Sequence, residues 1–147
     1  IKTKIIRIFN TYGPNMQLKD GRVVTNLIVQ ALNDEDLTIY GDGSQTRSFS
    51  YVSDTVAGII AMMESNHYEV FNIGNPYEMT IKELAETILK LTNSKSEIIY
   101  KPLPNDDPQQ RRPDISKAKD KLNWEPKVDL ETGLSTTIEW IKKELSK

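Results

Sequence analysis

Residues 1–14, Ile-Lys-Thr-Lys-Ile-Ile-Arg-Ile-Phe-Asn-Thr-Tyr-Gly-Pro, run β-branched residues straight into turn chemistry. Such a stretch is a strand stopped by Asn10-Thr-Tyr-Gly-Pro14. Its apolar residues cluster rather than alternate, the pattern of a strand covered on both faces in a parallel sheet. No second strand of matching character lies nearby in the sequence. The reading is therefore of an orphan, the last part of a sheet whose other strands are absent.

Working outward, residues 23–32 place apolar side chains at helical spacing, and residues 37–40 form a short strand ended by Gly41-Asp-Gly43. Residues 47–52 alternate as a strand. Ser53 or Asp54 then caps a helix through Met63, with Val56, Ile59, Ile60 and Met63 on one stripe. Residues 69–73 are a strand closed by Gly74-Asn-Pro76. Thr80-Ile-Lys-Glu83 carries the capping-box pattern ahead of Leu84, Ile88 and Leu91. Residues 96–100 read as a strand, and residues 102–113 as a proline-constrained loop without regular structure. Residues 115–122 form a short helix, broken by Trp124-Glu-Pro126. A closing amphipathic helix over 130–145 turns Leu134, Ile138, Ile141 and Leu145 inward. These elements make a mixed α/β lobe fronted by one foreign strand.

Composition narrows the function. A net charge of −2 argues against nucleic acid, whose binders carry a basic excess. The chain has no cysteine, which excludes disulfides, thiolate metal sites and cysteine nucleophiles. The single histidine, His67, sits between two regular segments as a solvated side chain. No metal site is expected. No apolar run approaches the roughly 20 residues that span a bilayer.

Three loops suit an anionic ligand. Asn10 and Thr11 follow a buried strand, and the crevice beyond strand carboxyl ends is the usual ligand site of open α/β sheets. The same residues are also good turn chemistry. In Gly41-Asp-Gly-Ser-Gln-Thr-Arg47, two glycines allow backbone N–H groups close to a ligand, and Arg47 offers a planar fork for phosphate. A plain hairpin-like turn remains the alternative. In Asn105-Asp-Asp-Pro-Gln-Gln-Arg-Arg-Pro-Asp114, prolines hold Arg111 and Arg112 either for a ligand or for ion pairs with Asp106, Asp107 or Asp114. Two separate arginine sites near an Asn/Thr turn suggest a diphosphate or a phosphate-plus-carboxylate ligand.

At these loops the chain resembles the extended short-chain dehydrogenases/reductases that act on nucleotide sugars. Arg7-Ile-Phe-Asn-Thr-Tyr-Gly-Pro14 matches their Arg-x-x-Asn-x-Tyr-Gly-Pro signature. Asp20-Gly-Arg-Val-Val-Thr-Asn26, residues 40–47, Tyr51-Val-Ser-Asp54, Asn72-Ile-Gly-Asn-Pro76, residues 106–114 and Leu122-Asn-Trp-Glu-Pro126 are similar to the UDP-glucuronate decarboxylases among them. The resemblance implies an α/β chain that is the C-terminal substrate-binding lobe of an extended Rossmann-fold enzyme. Residues 1–14 would be the last part of the Rossmann-type sheet and residues 15–147 the nucleotide-sugar lobe, with the N-terminal NAD-binding domain absent. Substrate binding would fall to Asn10, Thr38, Tyr40, Gln45, Arg47 and Arg111, and cofactor contacts to Thr11, Gln17 and Arg22. Arg111 would be the catalytic group.

The implied reaction is NAD-dependent. Oxidation at C4 of UDP-glucuronate places the carboxylate β to a ketone, CO2 leaves, and reduction returns UDP-xylose. The rivals are a dTDP-glucose 4,6-dehydratase, a UDP-sugar 4-epimerase and a non-catalytic nucleotide-sugar binding module; Arg47-Ser-Phe49, in place of Arg-Asp-Trp, disfavours the dehydratase. The chain holds neither a Gly-x-x-Gly-x-x-Gly loop nor a tyrosine with lysine four residues on. Residues 1–147 alone are thus expected neither to bind NAD nor to turn over. The resemblance implies a homodimer when intact; cytoplasm is the default compartment.

Overall fold

The computed structural model describes residues 2–103 and 110–147. In chain order the elements are β1 (Ile5–Ile8), β2 (Thr11–Tyr12), α1 (Val23–Leu32), β3 (Leu37–Tyr40), β4 (Thr46–Ser48), β5 (Ser50–Tyr51) and α2 (Val52–Glu64). There follow β6 (Val70–Ile73), β7 (Glu78–Thr80), α3 (Ile81–Thr92), β8 (Ile98–Lys101), β9 (Gln110–Arg111), α4 (Ser116–Leu122) and α5 (Leu130–Leu145). The expected α/β class holds, and α1, β3 and α5 fall on the residues that periodicity selects.

Four pairings are parallel and far apart in sequence: β1 with β6, β2 with β5, β3 with β8, and β4 with β9. The first corrects the reading of β1 as an orphan. Ile5 lies beside Val70 and Ile8 beside Ile73, and Phe9 N–H extends the ladder to the Ile73 carbonyl at 3.0 Å. A parallel partner is reached only through a long crossover, so sequence proximity was the wrong place to look for it. Nor is β1 covered on both faces among the described residues, since Ile5 and Ile8 are about half exposed at 51% and 53%.

The larger core lies where α1, α3 and α5 pack on one another and on β3. Leu27, Ile28, Leu37, Leu84, Ile88, Leu134 and Ile141 are fully enclosed there. Each such side chain stabilises the fold by roughly 1.5–3 kcal/mol through apolar burial. Helix α3 starts as its sequence demands. The Thr80 hydroxyl accepts from Glu83 N–H at 3.1 Å, and the Glu83 carboxylate accepts from Thr80 N–H at 2.7 Å. Leu145, expected inward, is exposed in the last turn of α5.

A smaller core joins Met62, Phe71, Ile73, Ile115, Ala118 and Trp124. Here α2 departs from its expected orientation. Val56, Ile60 and Met63 face outward, while Asp54, Thr55, Gly58 and Met62 face in. Gly58 explains the choice, because the helix rides directly on the Ile73 and Trp124 side chains there. Neither Ser53 nor Asp54 caps α2, whose N-cap is Tyr51 without a side-chain hydrogen bond. Asp54 is buried instead. Its carboxylate accepts from Val128 N–H and its carbonyl from the Trp124 indole N–H, both at 2.9 Å. That pair of bonds ties the Trp124-Glu-Pro126 corner to α2.

A methyl group at Gly58 would lie 2.7 Å from Ile73 Cγ2 and 2.9 Å from the Trp124 ring. Gly58→Ala should therefore destabilise the protein by about 1–3 kcal/mol through overpacking, despite alanine's better helix propensity. Denaturant unfolding at equilibrium reads the loss; a stabilised variant would show that α2 can shift without cost.

Candidate functional site

A cleft of about 650 Å³ opens where β1, β3 and β4 end and α1 begins. That volume lies within the range of small-molecule sites. Asn10, Thr11, Arg22, Thr38, Tyr40 and Gln45 line it, together with Arg47 and Arg111. Its floor is apolar, made by Phe9, Met16, Val24, Phe49 and Ile81.

Strand β4 organises the charged wall. It runs antiparallel to β7 on one edge and parallel to β9 on the other. Arg47 is the register partner of Arg111. Neighbouring strands lie about 4.8 Å apart and side chains alternate faces, so both guanidinium groups leave the same face side by side. The sequence reading treated them as separate sites; the register makes them one. Arg47 is buried at 8% exposure and donates from Nη1 to the Thr46 carbonyl at 2.8 Å. Arg111 is exposed. The residue after it faces away: Arg112 lines a separate depression of about 370 Å³ with Tyr77, Asp114 and Lys119. The adjacent arginines therefore line different depressions. Residues 102–113 are also not wholly irregular, because Gln110 and Arg111 form β9. Asp106 and Asp107 lie outside the described residues, while the Asp114 carboxylate accepts from Ser116 N–H and Oγ at 2.9 and 2.6 Å.

The remaining polar groups are held by the backbone around them. Asn10 lines the cleft and donates its side-chain amide to the Ser48 carbonyl at 3.2 Å. Thr11 donates to the Phe9 carbonyl at 3.0 Å and meets the Thr55 hydroxyl at 3.0 Å. Gln30 brackets Thr38, accepting from its N–H at 3.1 Å and donating to its hydroxyl oxygen at 3.2 Å. Gln45 is buried and donates to the Tyr40 carbonyl at 2.6 Å. Arg22 is held by Asp20, whose carboxylate accepts from its N–H at 3.0 Å and pairs with Nε at 3.2 Å.

Three expectations shift. Gln17 is exposed and is not brought to the cleft. Gly41 and Gly43 are not among the residues lining the cleft; both have positive φ, at 74° and 78°, and they pack against Leu103 and Lys82. Tyr12, missed earlier, lines the cleft while buried, and its hydroxyl donates to the Leu130 carbonyl at 3.4 Å. Desolvation pushes its phenol well above the ordinary range, so it is no base at neutral pH. His67 lies elsewhere, 3.7 Å from Glu69. Among the described residues no acidic, histidine or cysteine cluster could hold a metal, and no helix is long and apolar enough to cross a membrane.

The cleft thus lies beyond the carboxyl ends of parallel strands, with the cations of Arg47 and Arg111 on one wall. The chain belongs to the GDP-mannose 4,6 dehydratase family, whose model matches residues 1–137. It is 54% identical over 138 residues to UDP-glucuronic acid decarboxylase 1 of Arabidopsis thaliana, covering 94% of this chain and 32% of that protein. Its fold superposes on the UDP-glucose 4-epimerase of Thermotoga maritima, solved with UDP-glucose, with a TM-score of 0.93 and 37% identity over 97% of this chain and 46% of that one. The UDP-glucuronic acid 4-epimerase of Bacillus cereus, solved with UDP-glucuronic acid and NAD, gives 0.91 and 33% over 98% and 46%. The chain thus spans about a third of the curated relative and under half of each solved chain.

Arg47→Lys keeps the charge but loses the planar fork. It should weaken binding of inorganic pyrophosphate about 10-fold, the lower end for a charge-assisted hydrogen bond. Titration calorimetry checks this; unchanged affinity would remove Arg47 from the anion site.

Proposed function

We propose that this chain forms the nucleotide-sugar half of an NAD-dependent UDP-glucuronate decarboxylase that yields UDP-xylose. The observation that carries the reading is the register of Arg47 with Arg111 in one cleft. Two cations on one wall suit a ligand bearing both a diphosphate and a carboxylate, which UDP-glucuronate does and a neutral sugar nucleotide does not. The likeness to decarboxylases and to an epimerase solved with UDP-glucuronic acid supports the same substrate. In this reading residues 1–14 complete a Rossmann-type sheet, and residues 15–147 form the substrate lobe.

Each residue then has a role that follows from its chemistry. Thr38, Tyr40 and Gln45 hold the nucleoside. Arg47 grips the diphosphate, and Asn10 accepts from a sugar hydroxyl through its side-chain oxygen. Thr11 and Arg22 fit the cofactor's edge. Thr11 offers an acceptor oxygen, since its own proton goes to the Phe9 carbonyl, and Arg22 offers an exposed cation steered by Asp20. NAD held at this edge by Thr11 and Arg22 would supply the hydride acceptor, and then the donor, for C4 of the sugar.

Arg111 acts on the charge that moves. It pairs first with the sugar carboxylate; as the C5–carboxylate bond breaks, the electrons pass into the 4-ketone as an enolate beside the same guanidinium. Stabilising charge that grows during bond cleavage lowers the barrier more than it tightens binding. A guanidinium pKa above about 12 makes direct protonation of C5 unfavourable. Arg111 instead orients a water that gives C5 the proton replacing the lost carboxylate, and the hydroxide left behind takes a proton from solvent. By the same resemblance the enzyme works as a homodimer, and the cytoplasm is the default compartment for a cysteine-free domain.

The test is to incubate the full protein carrying this chain with NAD and UDP-glucuronate and follow products by chromatography coupled to mass spectrometry, which separates UDP-galacturonate from the substrate of equal mass. CO2 and UDP-xylose are expected, and Arg111→Ala should lower kcat about 100-fold or more, the scale of losing one oxyanion donor. Formation of UDP-galacturonate without CO2 would make the protein a 4-epimerase of the same family.

A further inference from the structure

Strand β9 has little to hold it. It is two residues long, both exposed, and its only sheet neighbour among the described residues is β4. Yet it carries Arg111. A two-residue ladder leaves a long cationic side chain free to wander unless something else sets its register.

We propose that Glu78 is that second restraint, a positioning residue that fixes Arg111 from the opposite face of the sheet. The proposal rests on the assignment of Arg111 to the substrate wall.

Alternation along the strands places Arg47 and Arg111 on the cleft face, and Thr46 and Gln110 on the other. Glu78 stands on β7 opposite Ser48, diagonally across from Thr46. Its side chain reaches over β4. Oε1 accepts from the Thr46 hydroxyl at 2.8 Å, and Oε2 accepts from the Gln110 amide at 2.8 Å. One carboxylate therefore spans all three strands, and the residue it grips on β9 immediately precedes Arg111. Ser48 Oγ adds a longer bond to the Arg111 carbonyl at 3.4 Å. The bonds from Thr46 and then Gln110 hold the Glu78 carboxyl below its ordinary range, so the brace is ionised wherever the enzyme would work. Glu78 itself does not line the cleft. Its effect passes through Gln110.

The experiment is a kinetic cycle in the full protein with NAD and UDP-glucuronate, comparing Glu78→Ala, Gln110→Ala, their double variant, and Arg111→Ala. Either single brace variant should lower kcat about 10-fold with the UDP dissociation constant unchanged. The double variant should fall no further, because both changes cut one tie. Adding Glu78→Ala to Arg111→Ala should change nothing. Glu78→Gln, whose amide can accept from Gln110 and donate to Thr46, should recover most of kcat. If Arg111→Ala is impaired while Glu78→Ala and Gln110→Ala are both unaffected, the brace is overturned and the substrate assignment stands. Equal loss of kcat and UDP affinity in Glu78→Ala would mean general loosening and also overturn it. If Arg111→Ala turns over normally, the assignment fails and takes the brace with it.

Discussion

The hydrogen-bonded sandwich of β4 between β7 and β9 is the constraint on which the site depends. A middle strand has its two edges occupied and its two faces divided by alternation. Thr46 and Ser48 look one way and Arg47 the other, so moving any of them by one residue would empty the cleft of its buried cation. Because β9 is laid parallel on the same strand, Arg111 falls into line with Arg47. A charged wall arises from backbone register before any ligand is considered.

Around this sandwich the two cores have different tasks. The core of α1, α3, α5 and β3 is a packed apolar block that fixes the back of the cleft, with Val24, Ile39, Phe49 and Ile81 shared between them. The smaller core secures the front, where β1 and β6 deliver Phe9, Asn10 and Thr11 to the mouth. Asp54 links the two regions. Buried and doubly engaged with Trp124 and Val128, it anchors the connection into α5. Removing one partner from such a buried pair costs about 1–3 kcal/mol, which is why a carboxylate can replace an apolar residue on the inner face of α2.

Polar residues near the cleft are mostly committed to holding one another. Gln30 exists for Thr38, Asp20 for Arg22, and Ser48 for Asn10. Preorganisation of this kind means a ligand meets groups already aimed, with little rotamer entropy left to lose. Among the described residues, the cleft presents the side chains of Asn10 and Thr11 and the exposed cations of Arg22 and Arg111.

The sequence alone determined the helices and the residue types of the site. Thr80 and Glu83 announce α3, the spacing of Leu134, Ile138 and Ile141 announces α5, and the motifs around Asn10, Arg47 and Arg111 single out the cleft, because capping, periodicity and turn chemistry act over a few residues. Tertiary structure decided what lies across long separations. It gave β1 its partner 65 residues on, turned α2 onto its Gly58 face, and parted Arg111 from Arg112. It also joined Arg47 to Arg111 and set Glu78 behind them. Strand register and the close approach of a helix are settled by contacts between distant segments, and no local pattern of residues encodes them.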